Sequence, residues 1–310
     1  MRKPYWDDPS FTLYLGDTLE VLREMPDASV NCIVTSPPYY ALRNYNGADG
    51  QYGLEPTVGA YVETMRNVFR ECRRVLAADG TLWLNLGDSY SGSTAGSGGT
   101  GVQSRKQVAN RGSHFGSALK VNDLPAKNML GVPWRVAFAL QDDGWILRNE
   151  IIWHKPNGMP NSVSDRFCAK HEHVFLFAGS SRYDFNLDAV RERPTTQRPA
   201  ARRRPIAHTN GNNNRQGGTG THPNGKNPGD VWSIATKAYR GEHFATFPPE
   251  LPERCIKAGC VPGGVVLDPF SGTATTGEAA LKLGRRYIGI DINAMYHDLA
   301  IKRVLNPGGE

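Results

Sequence analysis

Apolar positions recur along this chain at two spacings, alternate residues in some stretches and every third or fourth residue in others. Phe11-Thr12-Leu13-Tyr14-Leu15 alternates and stops at Gly16-Asp17, and Val30-Asn31-Cys32-Ile33-Val34 is a mostly apolar run, so both predict strands. Between them Thr18 can cap a helix reaching about Met25. Over residues 58–76 the apolar side chains of Tyr61, Met65, Val68, Phe69, Cys72 and Leu76 fall three and four apart, the stripe of a helix packed on a core. Ala77-Ala78-Asp79-Gly80 is expected to end it, and Thr81-Leu82-Trp83-Leu84-Asn85-Leu86 to be the next strand. Residues 132–140 predict a helix closed by Asp142-Asp143-Gly144, and residues 145–153 a strand, with residues 173–178 suited to pair with it as a hairpin at one edge of a sheet. Regular structure resumes at Val231-Trp232-Ser233-Ile234 and continues with a helix over 249–258, a strand over 265–267, a helix from Thr275 or Thr276 to Leu283 and a strand over 286–291. Strands alternating with helices in this way predict an α/β fold with a doubly wound sheet.

Two stretches break the pattern. Nine of the thirteen residues over 89–101 are Gly or Ser, too flexible a composition for a fixed helix or strand, and over 89–122 there is no acidic residue beside Arg105, Lys106, Arg111 and Lys120. Residues 187–227 are rich in Arg, Pro, Asn, Thr and Gly with little periodicity. Net charge is +6, and over residues 185–245 ten basic residues stand against four acidic ones, so this window carries the chain's whole excess. A localised basic segment is the footprint of a polyanion binder. The expected organisation is one catalytic domain formed by residues 1–184 and 243–310, with a flexible loop at about 89–122 and a recognition insertion at 185–242.

Other classes are disfavoured. No apolar run approaches the length of a membrane span, and Met1-Arg2-Lys3-Pro4-Tyr5-Trp6 does not read as the start of a signal peptide, so a cytoplasmic protein is expected. The five cysteines, Cys32, Cys72, Cys168, Cys255 and Cys260, are scattered without a Cys-x-x-Cys pair, which argues against disulfides and structural zinc. His171-Glu172-His173 is expected to point its imidazoles to opposite faces of a strand, and no metal is predicted.

The turn after the 265–267 strand, Asp268-Pro269-Phe270-Ser271-Gly272-Thr273-Ala274, supplies small residues where a backbone must approach a ligand, and Asp291 follows Gly272 by 19 residues at the end of the next strand. That is the spacing of an acid that receives ribose hydroxyls in a dinucleotide-type fold. One glycine replaces the usual three, however, so a phosphate nest is a poor fit and an uncharged ligand arm a better one.

Val34-Thr35-Ser36-Pro37-Pro38-Tyr39-Tyr40 near one end and Val266-Leu267-Asp268-Pro269-Phe270-Ser271-Gly272-Thr273 near the other together resemble the two halves of the DNA amino-methyltransferases. The catalytic element comes first, as in their permuted beta class. The resemblance implies a circularly permuted, Rossmann-like methyltransferase sheet, S-adenosylmethionine as cofactor and double-stranded DNA as partner. It leaves open a cognate restriction endonuclease and whether the chain acts as monomer or homodimer. Asp268, Phe270, Gly272, Thr273 and Asp291 match the family's cofactor motifs, Tyr14-Leu15-Gly16-Asp17 its adenine-facing acid at Asp17, and His243-Phe244-Ala245-Thr246-Phe247-Pro248 its segment over the methionine arm, with Thr246 and Phe247 nearest the cofactor. Ala274 stands where the family has a second glycine, a change that costs little if its backbone stays right-handed. Ile152-Trp153-His154-Lys155-Pro156-Asn157, Asp165-Arg166, His171-Glu172-His173 and Gly229-Asp230-Val231-Trp232 extend the match. Lys155 and Arg166 are expected at phosphate or at the flipped nucleotide, and Arg202, Arg203 and Arg204 at phosphates.

By the same resemblance, Ser36 and the Pro37 carbonyl accept the two hydrogens of an exocyclic amine, Pro38 stiffens the turn and Tyr39 offers a face for an extruded base. Cytosine C5 chemistry requires a nucleophilic Cys preceded by Pro, whereas the five cysteines follow Asn31, Glu71, Phe167, Arg254 and Gly259. Ser at the first position favours cytosine N4. Adenine N6 is the alternative, and a nucleic-acid-binding module with an inactive Rossmann core is the second.

Overall fold

The computed structural model describes residues 2–41, 51–91, 124–158, 163–193, 222–236 and 247–305. Its strands are β1 (Trp6–Asp8), β2 (Phe11–Leu15), β3 (Val30–Thr35), β4 (Leu76–Leu86), β5 (Ile146–His154), β6 (His171–Ala178), β7 (Val231–Ser233), β8 (Val265–Asp268) and β9 (Arg286–Asp291). They form one nine-stranded sheet in the order β1-β2-β9-β8-β3-β4-β6-β5-β7. From β2 to β4 the neighbours run parallel, while β6 is antiparallel to both β4 and β5, and β7 runs parallel to β5. Consecutive cofactor-motif strands therefore enter the middle of the sheet beside the strand that precedes Ser36.

Both faces of the sheet are covered, as parallel strands require. Alternate residues divide between them. Ile33, Leu82 and Leu84 join the core under α1 (Thr18–Glu24), α2 (Val58–Val75) and α3 (Val132–Asp142), where Tyr61, Met65, Phe69 and Val136 are fully buried. Cys32, Val34 and Trp83 join the other core, under α4 (Glu250–Gly259), α5 (Thr275–Lys282) and α6 (Ala294–Leu305), with Cys255, Ile256 and Ala280. Trp83 also lies 6.2 Å from Trp232 and 6.4 Å from Phe185, so the described flanks of the 185–242 segment are packed on the catalytic sheet.

The pattern-based elements recur with four changes. Asp17, not Thr18, caps α1, its carboxylate accepting the Glu20 N–H at 3.0 Å. Residues 77–80 belong to β4, where an irregular register against β3 absorbs them and the Ala78 and Asp79 carbonyls accept bonds from Ser180 and Asp184. β7 lies outside the predicted hairpin because the Trp153 indole donates to the Ile234 carbonyl and the two strands pair. The short β1 and the terminal α6 add elements that the pattern had not marked. Most of the Gly- and Ser-rich segment lies outside the described residues, but its stems are joined, with Leu130 N–H bonded to Ser89 and Ser91 N–H to Asn128. Among the described residues no helix is long and apolar enough to cross a membrane.

Candidate active site

The cofactor half is built at the carboxyl ends of β2, β8 and β9, the edge where open α/β sheets bind ligands. Register places Leu15 opposite Asp291, and the Gly16 N–H donates to the Asp291 carbonyl at 3.0 Å, so Asp17 and Asp291 leave adjacent strand ends. The Asp291 carboxylate accepts the Gly272 N–H at 2.8 Å through one oxygen and the Asn293 N–H at 2.8 Å through the other, and burial raises its pKa. Each oxygen keeps a second lone pair, as ribose hydroxyls would require. Gly272 has φ +49°, and nothing lies within 4 Å of where a Cβ would stand, so the loop presents bare backbone to an open cradle. Phe270 meets Tyr52 edge-on at 5.5 Å, and the Tyr52 hydroxyl donates to Asp17 at 2.8 Å. Two carboxylates for hydroxyls and an amine, an aromatic wall and an open glycine fit the adenosine end of S-adenosylmethionine. The Thr273 hydroxyl is buried in the same loop without a bonding partner among the described residues.

Two expectations for this loop change. Ala274 does not stay right-handed. It caps α5 at φ 56°, ψ 44°, because the turn into the helix demands the left-handed conformation whichever residue occupies it. Asp268 lies beneath the cradle, 2% exposed. It accepts Thr35 Oγ1 at 2.7 Å, the Phe270 N–H at 3.1 Å and Thr276 Oγ1 at 2.7 Å, and burial lifts its pKa to about 6. Asp268 thus fixes the loop and ties it to the residue immediately before Ser36.

The base half opens from the carboxyl end of β3. Pro38 has its carbonyl engaged by the Tyr61 hydroxyl at 2.9 Å, which anchors the turn on α2. Ser36 Oγ donates to the Tyr39 hydroxyl at 3.3 Å, and Tyr39 donates to Glu172 Oε2 at 2.6 Å. Asn85, buried on β4, directs its amide nitrogen at Ser36 Oγ, Tyr39 Oη and Glu172 Oε2, at 3.3, 2.6 and 2.9 Å. The Lys155 ammonium pairs with the other Glu172 oxygen and lies 4.4 Å from the centre of the Trp153 ring. Gly87 closes the floor, since a Cβ there would stand 2.7 Å from Tyr39 Cε2.

Lys155 therefore faces Glu172 within this cluster, with its side chain only 21% exposed. Arg166, in the loop between β5 and β6, stacks over Tyr90 at 4.1 Å. Phe247 is half-buried against the α4–α6 core, whereas Thr246 and Arg202, Arg203 and Arg204 lie outside the described residues. His171 and His173 correct another expectation. Residues two apart on a strand share a face, and their rings are 5.2 Å apart, with His173 Nδ1 2.6 Å from Glu150. Asn85 and Glu172 join the site although neither stood out as a site residue. The available signals were the place of Glu172 in the His171-Glu172-His173 match and that of Asn85 as a polar residue inside an apolar strand.

Known proteins resemble this chain in sequence and in fold. A family model described as DNA methylase matches residues 30–302. Type II methyltransferase M.Cfr9I of Citrobacter freundii is 41% identical over 298 residues, covering 94% of this chain and 87% of that protein. Type II methyltransferase M.SmaI of Serratia marcescens is 39% identical, covering 96% and 91%. Among solved structures, PvuII DNA methyltransferase (cytosine-N4-specific) superposes with a TM-score of 0.67 at 20% identity, covering 100% of this chain and 91% of that one. A DNA modification methylase from Thermus thermophilus, complexed with S-adenosyl-L-methionine, matches at 25% identity with a TM-score of 0.57, covering 96% and 95%. The chain belongs to the DNA methylase family, among the Type II methyltransferases.

Proposed function

We propose that this DNA methyltransferase transfers a methyl group from S-adenosylmethionine, the family's methyl donor, to the N4 amine of a cytosine turned out of duplex DNA. The observation that carries this reading is the Thr35–Asp268 hydrogen bond of 2.7 Å, which locks the Ser36-Pro37-Pro38-Tyr39 turn beside the cofactor loop. When bound, the cofactor supplies an electrophilic methyl group. Asp17, Phe270, Gly272, Thr273 and Asp291 would hold its adenosine end, with Thr246 and Phe247 toward the methionine arm. An exocyclic amine is a poor nucleophile because its lone pair is delocalised into the ring. Ser36 Oγ and the Pro37 carbonyl would accept its two hydrogens and turn the lone pair toward the methyl carbon, so orientation supplies much of the acceleration. Serine at the first position of the turn supports cytosine over adenine.

Residues 185–242 are read as the target-recognition insertion, with Arg202, Arg203 and Arg204 contacting phosphate and Arg166 flanking the site. A methyl group on an exocyclic amine alters the donor pattern of the major groove. Such a mark would protect the site from a cognate restriction endonuclease, in keeping with the Type II naming of the relatives. The test is incubation with labelled S-adenosylmethionine and mixed-sequence duplex DNA, followed by mass spectrometry of the nucleosides. N4-methylcytosine is expected. N6-methyladenine would move the reading to the other amine, and cofactor binding without labelled DNA would favour an inactive binding module.

A further inference from the structure

We propose that Glu172 is the terminal acceptor of the proton released in each methyl transfer, reached through Ser36 and Tyr39. The proposal rests on the base-site reading above and deepens it. As the amine nitrogen bonds to the methyl carbon, the carbon–sulfur bond breaks and its electron pair stays on sulfur, leaving the nitrogen cationic with one proton too many. A serine hydroxyl and a proline carbonyl can orient that nitrogen, but neither is a lasting proton acceptor near neutral pH.

The hydrogen bonds already run in the required direction. Ser36 Oγ donates to Tyr39 Oη, and Tyr39 Oη donates to Glu172 Oε2. The amine proton passes to Ser36 Oγ as the Ser36 proton moves to Tyr39 and the Tyr39 proton to Glu172. Both hydroxyls are regenerated, and the carboxylate becomes a carboxylic acid that later yields its proton to water. Because a protonated exocyclic amine is a strong acid, a carboxylate is basic enough to receive its proton.

The surroundings suit this role. Asn85 donates from one nitrogen toward all three oxygen-bearing groups and holds them together. Lys155 on the second carboxylate oxygen balances the charge that Glu172 carries before transfer. Among the described residues, Tyr39 and Lys155 are the titratable groups bonded to Glu172. The neighbouring His171 and His173 lie on the opposite face of β6, where His173 meets Glu150. Glu172 acts through Tyr39, so it is a positioning and relay residue.

The test is single-turnover methyl transfer across pH 5 to 9 with Glu172→Gln, which keeps the shape and an acceptor oxygen, and with Tyr39→Phe, which keeps the ring. Cofactor affinity and the fluorescence of 2-aminopurine placed beside the target cytosine are measured in parallel. Glu172→Gln should lower the single-turnover rate about 100-fold and abolish the acidic limb of the pH profile, with cofactor affinity and base extrusion unchanged. Tyr39→Phe should remove the same limb. A Glu172→Gln enzyme within threefold of wild type and retaining that limb would overturn the relay. So would a loss of base extrusion matching the loss of rate, which would make Glu172 a support for the pocket. Full activity of Ser36→Ala would overturn the base-site reading itself, separately from the Glu172 result.

Discussion

The two halves of the site are made from different materials. The cofactor half centres on one continuous strand-turn-helix-strand unit, joined by Asp17 and Tyr52 from beside it, and its glycine loop is bare backbone held from behind by Asp268 and from the side by Asp291. The base half gathers side chains from four separate places, at Ser36 and Tyr39, Asn85, Lys155 and Glu172, into one hydrogen-bonded cluster. A backbone cradle tolerates side-chain change wherever the chain path survives, as Ala274 in a glycine's conformation illustrates. A side-chain cluster has no such slack, because each member satisfies another.

Four substitutions would sharpen that contrast. Asp291→Ala should have the largest effect, because two backbone N–H groups lose a charged acceptor. Stability should fall by about 3 kcal/mol and cofactor affinity by about 100-fold, readable by urea unfolding and calorimetric titration. Gly87→Ala should act on the other half alone. Its methyl would overlap Tyr39, so turnover should fall by roughly 30-fold at a stability cost of about 1–3 kcal/mol, with cofactor affinity unchanged. A Gly87→Ala enzyme that bound cofactor poorly would show that the halves are mechanically one.

Asp268→Asn tests the joint between the halves. Burial holds Asp268 at about 6, above its unfolded value, so its contribution to stability is fully present at low pH and is lost as pH rises through 6. The stability of the Asn variant relative to wild type should therefore improve by about 2 kcal/mol between pH 4 and pH 7.5, a trend measured by urea unfolding at both values. Ala274→Gly should have the smallest effect. Relief of left-handed backbone strain, about 1 kcal/mol, is offset by loss of a buried methyl group, about 0.8 kcal/mol, so unfolding midpoints should nearly coincide.

The same contrast explains what could be read from the chain. The unit from Val265 to Asp291 announces itself because its strand, turn, helix and acid are consecutive and their spacing is set by local geometry. Ser36 to Tyr39 stood out through its prolines. Glu172 was buried in a His-Glu-His triplet whose histidines drew the eye, and its meeting with Tyr39 depends on β6 lying antiparallel to β4, a tertiary fact. Asn85 occupies a place in an apolar strand that pattern alone assigns to the core. The left-handed turn at Ala274 was hidden for the opposite reason, since alanine carries no mark of an unusual backbone.

The position of β8 between β3 and β9 also sets a timetable for folding during synthesis. β3 leaves the ribosome early, yet its neighbour on one side is encoded more than two hundred residues later, as the Thr35–Asp268 bond spans 233 positions. At roughly 5–20 residues per second, that apolar strand edge waits on the order of ten seconds or more for its partner. β2 waits similarly for β9. Until then the nascent chain holds the Ser36-Pro37-Pro38-Tyr39 turn without the strand that steadies it, so β8 and β9 complete the sheet and the proposed site in the same event.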